Sequence, residues 1–263
     1  MEKEDRNCWT LKYAEVSDGV GFSLDIVPSV DEDILIKNDI IDSGVSYSNA
    51  EKTVAITNKE VSEYNWLTSN PIGFGNWFLG ISNQHLTNDM KSKQYNNLPY
   101  DIRMMFASAE KIPTYYYRSN LQRAVQFIKR HRDIYYDRIK LRNDKPSSIL
   151  ISALVADSVK DKWILSVSEI VNAFIVGVLN RSISIMQDDK ILNPVDLREN
   201  LIERYTDSKL NNMNKWIAEL NNFMNIDDDR KFKQNIHNDI NTRVFAESFE
   251  TPTIITPTKP WKK

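Results

Sequence analysis

Cysteine and histidine are almost missing from this chain of 263 residues. The single cysteine, Cys8, excludes an internal disulfide framework and a cysteine-cluster zinc site. The three histidines, His85, His131 and His237, are too scattered to suggest a histidine-rich metal centre. A metal acting here is therefore expected to be held by carboxylates. An excess of one charge is missing too. Thirty-four Lys+Arg face 36 Asp+Glu, a net charge of -2, so any phosphate binding must come from local clusters, and a nucleic-acid partner is not expected. No apolar run approaches the ~18 residues that a membrane-spanning helix needs. The opening Met1-Glu2-Lys3-Glu4-Asp5-Arg6 is too charged for a signal peptide, which predicts a cytoplasmic protein with no membrane partner. There is no Gly-x-x-x-x-Gly-Lys-Ser/Thr loop, no dinucleotide fingerprint, no His-Glu-x-x-His and no Gly-x-Ser-x-Gly.

What is present, 41% hydrophobic and 27% charged residues, suits one large or two small globular domains. Residues 8 to 56 alternate as strands do, in Cys8 to Tyr13, Phe22 to Val27 and Thr53 to Ile56, with Asp31 to Ser48 read as turns around one short strand, Asp33 to Ile36. From about Leu98 the period becomes helical. Leu121, Ala124, Val125, Ile128, Tyr135 and Ile139 predict a long helix ending near Leu141, broken by Asn143-Asp144-Lys145-Pro146. Ser147 and Ser148 stand where N-caps belong, ahead of the apolar run Ile149 to Val155. A further helix is predicted over Val167 to Met186, then a polar loop at Asn193 to Asn200 and a last pair of amphipathic helices within 197 to 223. The tail from Thr251, with three prolines, reads as extended. The fold class is α+β, a small sheet region followed by a helical domain.

Four features could carry chemistry. Asp25 sits in mid-strand, opposite in facing to Phe22, Leu24 and Ile26; it is either a solvated outer-face acid or a carboxylate placed for a divalent metal. Lys129, in the run Lys129-Arg130-His131-Arg132, borders the apolar stripe and reads as a helix flank or as a point charge for a triphosphate. Ser147 and Ser148 open a helix, as ordinary caps or as an anion site. Asn193 and Asn200 bound a polar segment for which turn chemistry is a sufficient account.

In order, Cys8-Trp9-Thr10-Leu11-Lys12-Tyr13-Ala14, Phe22 to Pro28, Asn58-Lys59-Glu60 and Ser69-Asn70-Pro71-x-Gly73-Phe74-x-x-Trp77-Phe78 resemble the bacterial cGAS/DncV-like nucleotidyltransferases, the CD-NTases of CBASS anti-phage defence. The second half continues the likeness through Leu121 to Gln126, Lys129 to Asp133, Lys145 to Ile149, Ile191 to Pro194 and Glu199-Asn200. The resemblance implies a partial polymerase-beta-type sheet core over 1–110, an oligoadenylate-synthetase-like helical domain over 111–250 and a tail over 251–263. It implies Asp25 as the third carboxylate of a metal triad, and Lys129, Ser147 and Ser148 as donors to a nucleoside triphosphate. Asn193 and Asn200 fall in a family loop near the cleft. The implied cofactor is Mg²⁺ or Mn²⁺, the substrates are ATP, GTP, CTP or UTP, and the product is a cyclic di- or trinucleotide second messenger.

The family's Gly-Ser motif and Asp-x-Asp or Glu-x-Asp pair do not occur in the 24 residues before Asp25, and Asp31-Glu32-Asp33 comes after it. The expectation is a member lacking its N-terminal portion, with weak or absent catalysis, poor solubility and exposed apolar surface. The alternatives are a catalytically inactive homologue that binds only nucleotide or a partner, and a linear oligonucleotide synthetase. Lys259-Pro260-Trp261-Lys262-Lys263 is a candidate handle for a CBASS accessory protein.

Overall fold

A computed structural model describes residues 8–16, 20–57, 66–107, 117–225 and 248–249. Asn58-Lys59-Glu60 and the C-terminal tail lie outside them. The chain is α+β, mostly helical with small sheets, and divides into two compact units. The first holds Met1–Trp77 and Leu192–Glu199; the second holds Phe78–Ile191 and Asn200–Lys263.

In the first unit, β1 (Trp9–Val16) and β2 (Val20–Ile26) form an antiparallel ribbon, as their alternation predicts. Thr10 stands opposite Asp25 and Leu11 opposite Leu24, so polar and apolar pairs occupy opposite faces. The apolar face is not covered: Leu11, Leu24 and Ile26 are each more than 40% exposed, at 47%, 44% and 43%. A second sheet runs in the order β3 (Ser29–Asp31), β4 (Val54–Ile56), β5 (Leu67–Ser69).

The strand expected at Asp33 to Ile36 is instead the start of helix α1 (Ile34–Asp42), followed by the short α2 (Tyr47–Ala50). Asp33 is its N-cap, its Oδ1 accepting from the Leu35 amide at 2.8 Å. Ile36, Ile40 and Ile41 then share one side at helical spacing and pack with Val45, Ala50 and Leu197. Lys37, almost fully buried, reaches Asp31 at 2.5 Å, so the acids of this stretch serve α1 rather than a turn.

Asn70 joins the elements that follow. Its Nδ2 donates to the Asn49 carbonyl (2.8 Å) and to Thr53 Oγ1 (3.1 Å), and its Oδ1 accepts from the Gly73 amide at 2.9 Å. That last bond caps α3 (Pro71–Gln84), which begins with proline at its first position. Helix is therefore present from Ile34 and again from Pro71, well before Leu98. A methyl group on Gly73 would lie 2.4 Å from Asn70 Oδ1. Gly73→Ala is expected to cost about 1–2 kcal/mol by displacing this buried amide, read as a lower urea midpoint with unchanged slope.

The second unit is built on helices. After α4 (Asn88–Asn96) and α5 (Tyr100–Ala107) comes the long helix α6 (Asn120–Arg138), with a capping box between Ser119 and Gln122. Its buried stripe runs through Leu121, Ala124, Val125 and Ile128 as predicted, then continues through His131 and Tyr136 rather than Tyr135. The break ahead of Ser147 is a short 3-10 turn, Arg142–Asp144. Helix α7 (Ser148–Asp157) is buried from Leu150 to its end, packed between α6 and α8 (Val167–Leu179).

Two expectations fail after this point. The helix expected to reach Met186 stops at Leu179. The Arg181 amide turns back to Val178 O and the Ser182 amide to Gly177 O, with Arg181 at φ 50, a Schellman ending made without glycine. The segment read as a polar loop and part of a helix pair is a small sheet instead. It contains β6 (Met186–Gln187), β7 (Lys190–Asn193) and β8 (Asp196–Asn200), with Leu197 in a strand, and a single helix α9 (Asp207–Met224) follows. On α9 the indole of Trp216, fully buried, donates to His131 Nδ1 at 3.1 Å and packs against Phe174. Among the described residues no helix is long and apolar enough to cross a membrane.

Candidate functional site

Lys129, Arg132 and Asp133 are spaced i, i+3 and i+4 on α6 and so share one face, about one turn apart. Lys129 is half-buried and lines a cavity of about 390 Å³ with Gln122, Val125, Gln126, Arg130 and Asp133. Burial holds its ammonium below the usual lysine range, and the Arg132 guanidinium adds to the effect while the Asp133 carboxylate opposes it. Such a cation gains when a polyanion arrives, because the anion supplies the charge that burial took away.

One turn further on, Arg132 ties this face to the start of α7. Its guanidinium is only 5% exposed. It donates to Asp133 Oδ1 (2.7 and 3.0 Å), to the Pro146 carbonyl (2.8 Å) and, at 3.4 Å, to Ser148 Oγ. Lys145 also reaches Asp133 Oδ1, at 3.1 Å. The start of α7 itself is open to solvent: Ser147, Ser148 and Ile149 are exposed. Ser147 is the N-cap, its Oγ accepting from the Leu150 amide at 3.3 Å. The amides of Ser148 and Ile149, in the first turn, have no acceptor within the helix, as is general for the first turn of a helix.

Three of the sequence-derived residues, Lys129, Ser147 and Ser148, thus sit on adjoining parts of one unit, with Arg132 between them. Asp25 and Asn193 belong to the other unit, and Asn200, the last residue of β8, to the same unit as Lys129. Asp25 is exposed in β2 and accepts a hydrogen bond from Thr10 Oγ1 at 2.6 Å. Among the described residues no three potential metal ligands come together, so Asp25 does not by itself make a site for Mg²⁺ or Mn²⁺. Asn193, buried, donates to Glu199 Oε2 at 2.6 Å and accepts from the Val195 amide at 3.1 Å. Its amide is spent on the turn between β7 and β8. Asn200 accepts from the amides of Ile191 (3.1 Å) and Ile202 (3.2 Å).

Arg132 and Asp133 were not singled out in the sequence as site residues, although their spacing of three and four from Lys129 puts them on its face. Tyr205, whose hydroxyl accepts from the Ser147 amide at 3.0 Å, was not signalled, since 58 residues separate the two. A larger cavity of about 590 Å³ opens among Asp157, Lys160, Glu169, Asn172 and Ser184. Its Lys160 is held by Asp157 and Ser184, and the residues singled out in the sequence do not border it.

This arrangement places two partly or largely buried cations and an exposed helix start on adjoining parts of one mostly helical unit. The chain aligns in structure over 93% of its length with the CD-NTase CdnG of Bradyrhizobium diazoefficiens, solved in complex with GTP, at a TM-score of 0.60 and 20% identity. It covers 66% of that chain. Over 164 residues, 61% of its length, it is 30% identical to a c-di-GMP synthase of Roseivirga ehrenbergii, of which it spans 39%. No family model matches the chain. The chain is therefore similar in sequence to a c-di-GMP synthase and in fold to a CD-NTase.

Proposed function

We infer that this chain binds nucleoside triphosphates as part of an enzyme that joins them into a cyclic di- or trinucleotide, a second messenger of anti-phage defence. The observation that carries this is the convergence of a half-buried Lys129, the Arg132 anchor and the open start of α7 at Ser147 and Ser148, in a homologue of a c-di-GMP synthase. The GTP in the structural neighbour supports a triphosphate as the ligand. On this reading Lys129 meets the phosphates as a point charge, and Ser147 and Ser148 offer hydroxyls beside free amides. By family resemblance residues 1–110 are the polymerase-beta-type part and residues 111–250 the oligoadenylate-synthetase-like part.

Asp25 is assigned to the metal-binding acids of that enzyme on the resemblance. Mg²⁺ or Mn²⁺, when bound, would supply charge neutralisation for the transferring phosphate. Asn193 and Asn200 shape the hairpin beside β8 rather than contact nucleotide. The tail after Thr251 is a candidate handle for an accessory protein.

The test is a product assay with labelled ATP, GTP, CTP and UTP, Mg²⁺ or Mn²⁺, phosphatase treatment and chromatography, with Asp25→Ala as control. Phosphatase-resistant product that vanishes in the control supports the synthase. Triphosphate binding without pyrophosphate release makes the chain a nucleotide-binding homologue without turnover. No binding to any of the four overturns the reading.

A further inference from the structure

The N-caps of α6 and α8 are completed by capping boxes, whereas those of α1, α4, α7 and α9 are not. Ser119 N–H is taken by Gln122 and Ser166 N–H by Glu169, each the third residue of its own helix. At α7 the third residue is Leu150, fully buried in the core, so it offers no acceptor. The Ser147 amide is instead taken by the Tyr205 hydroxyl. A carboxylate in that place would put negative charge on the spot where phosphate is to bind, whereas a phenol hydroxyl accepts the hydrogen bond and stays neutral.

Tyr205 is delivered by the turn after β8. Asn200 Oδ1 collects the amides of Ile191 and Ile202, and the Ile202 carbonyl accepts from the Tyr205 amide at 2.9 Å. The Tyr205 ring is covered by the Lys209 ammonium, 4.1 Å from its centre. Tyr136 is a fully buried side chain whose hydroxyl has no hydrogen-bond partner among the described residues. Asp144, Tyr205 and Arg132 all lie within electrostatic reach of that hydroxyl.

We propose that Tyr205 is a positioning residue of the nucleotide site, holding Ser147 and the open end of α7 in place through a neutral hydrogen bond, and that Asn200 acts through it. This rests on the reading of Lys129, Ser147 and Ser148 as the triphosphate site. It gives the Asn200 end of the hairpin a part in binding without any contact to nucleotide.

The experiment measures affinity for GTP with Mg²⁺, and for inorganic tripolyphosphate, by calorimetry on the full chain at a temperature where every variant is folded. Tyr205→Phe removes only the hydroxyl and is expected to weaken both ligands about fivefold, the worth of one hydrogen bond. Asn200→Ala is expected to do the same, while Asn200→Asp, which keeps the accepting oxygen, restores affinity to within about twofold. Hydrogen exchange of the segment around Ser147 should quicken in Tyr205→Phe and in Asn200→Ala before any ligand is added. If Lys129→Ala weakens binding while Tyr205→Phe and Asn200→Ala bind as the parent does, the role of Tyr205 is wrong and the site stands. If these two variants lose thermal stability but no affinity, the cluster is structural only, which also overturns it. If the parent chain binds neither ligand, the site itself is wrong.

Discussion

Lys129→Ala is expected to weaken triphosphate binding about ten- to a hundredfold and to leave the melting temperature unchanged or slightly raised. The affinity loss corresponds to about 1.5–3 kcal/mol, the usual worth of a charge-assisted contact. The direction of the stability change comes from the ammonium's surroundings. Lys129 is partly desolvated, and the nearby Arg132 repels it. Removing it from the free protein therefore relieves an unfavourable placement, while removing it from the complex deletes a favourable one. Calorimetric titration with GTP and Mg²⁺, alongside a thermal melt, reads both. A large drop in melting temperature with unchanged affinity would show a packing residue and remove Lys129 from the site. Lys129→Arg is a useful companion, because a broad planar cation in a cavity of about 390 Å³ should recover only part of the affinity.

The second large effect is on acid stability. His131 is 2% exposed, and burial lowers its pKa to about 3, with Arg138 adding to the shift. Its Nδ1 must stay unprotonated to accept from the Trp216 indole. Because the folded pKa lies below the ordinary value of about 6.5, the unfolded chain takes up the proton first as pH falls. Stability is therefore complete above about pH 6.5 and is lost as pH drops toward 3, at up to about 1.4 kcal/mol per pH unit. Between pH 6.5 and 4.5 the expected loss is about 2–3 kcal/mol from this residue. His85, also buried and shifted down by desolvation, acts in the same direction. The carboxylates held low by partners, Asp31 by Lys37 and Glu169 by Ser166, lose their stabilising contribution only at lower pH, so the histidine window stands apart. Urea midpoints across pH 7.5 to 4.5 check this. His131→Asn, which keeps an acceptor for the indole, should flatten the slope by about one proton. An unchanged slope would mean that His131 titrates normally.

How much of this was legible in the sequence depends on how local each cause is. Helix α6 was legible because its apolar residues recur three and four positions apart, whereas its Ser119–Gln122 capping box, equally local, went unread. The cap at Ser147 was legible because it stands just ahead of the apolar run Ile149 to Val155. The start of α1 was misread because its acids looked like turn residues, and only the packing of Ile36, Ile40 and Ile41 onto Val45 and Leu197 shows them as cap and ion-pair partner. The end of α8 was missed because Arg181 takes the left-handed position where glycine usually gives the signal.

For the site, residue type and spacing singled out Lys129, Ser147 and Ser148 before any coordinates. What the sequence determined by itself was therefore the charge, caps and amphipathic faces of single elements, since these follow from neighbours three or four positions apart. The tertiary structure alone decided that Arg132 spans from α6 to α7, that Asn193 and Asn200 are spent on a hairpin, and that Tyr205 completes a cap 58 residues away. Each of these is a bond between groups far apart in the chain, and no local periodicity encodes which distant donor meets which acceptor once the core has closed.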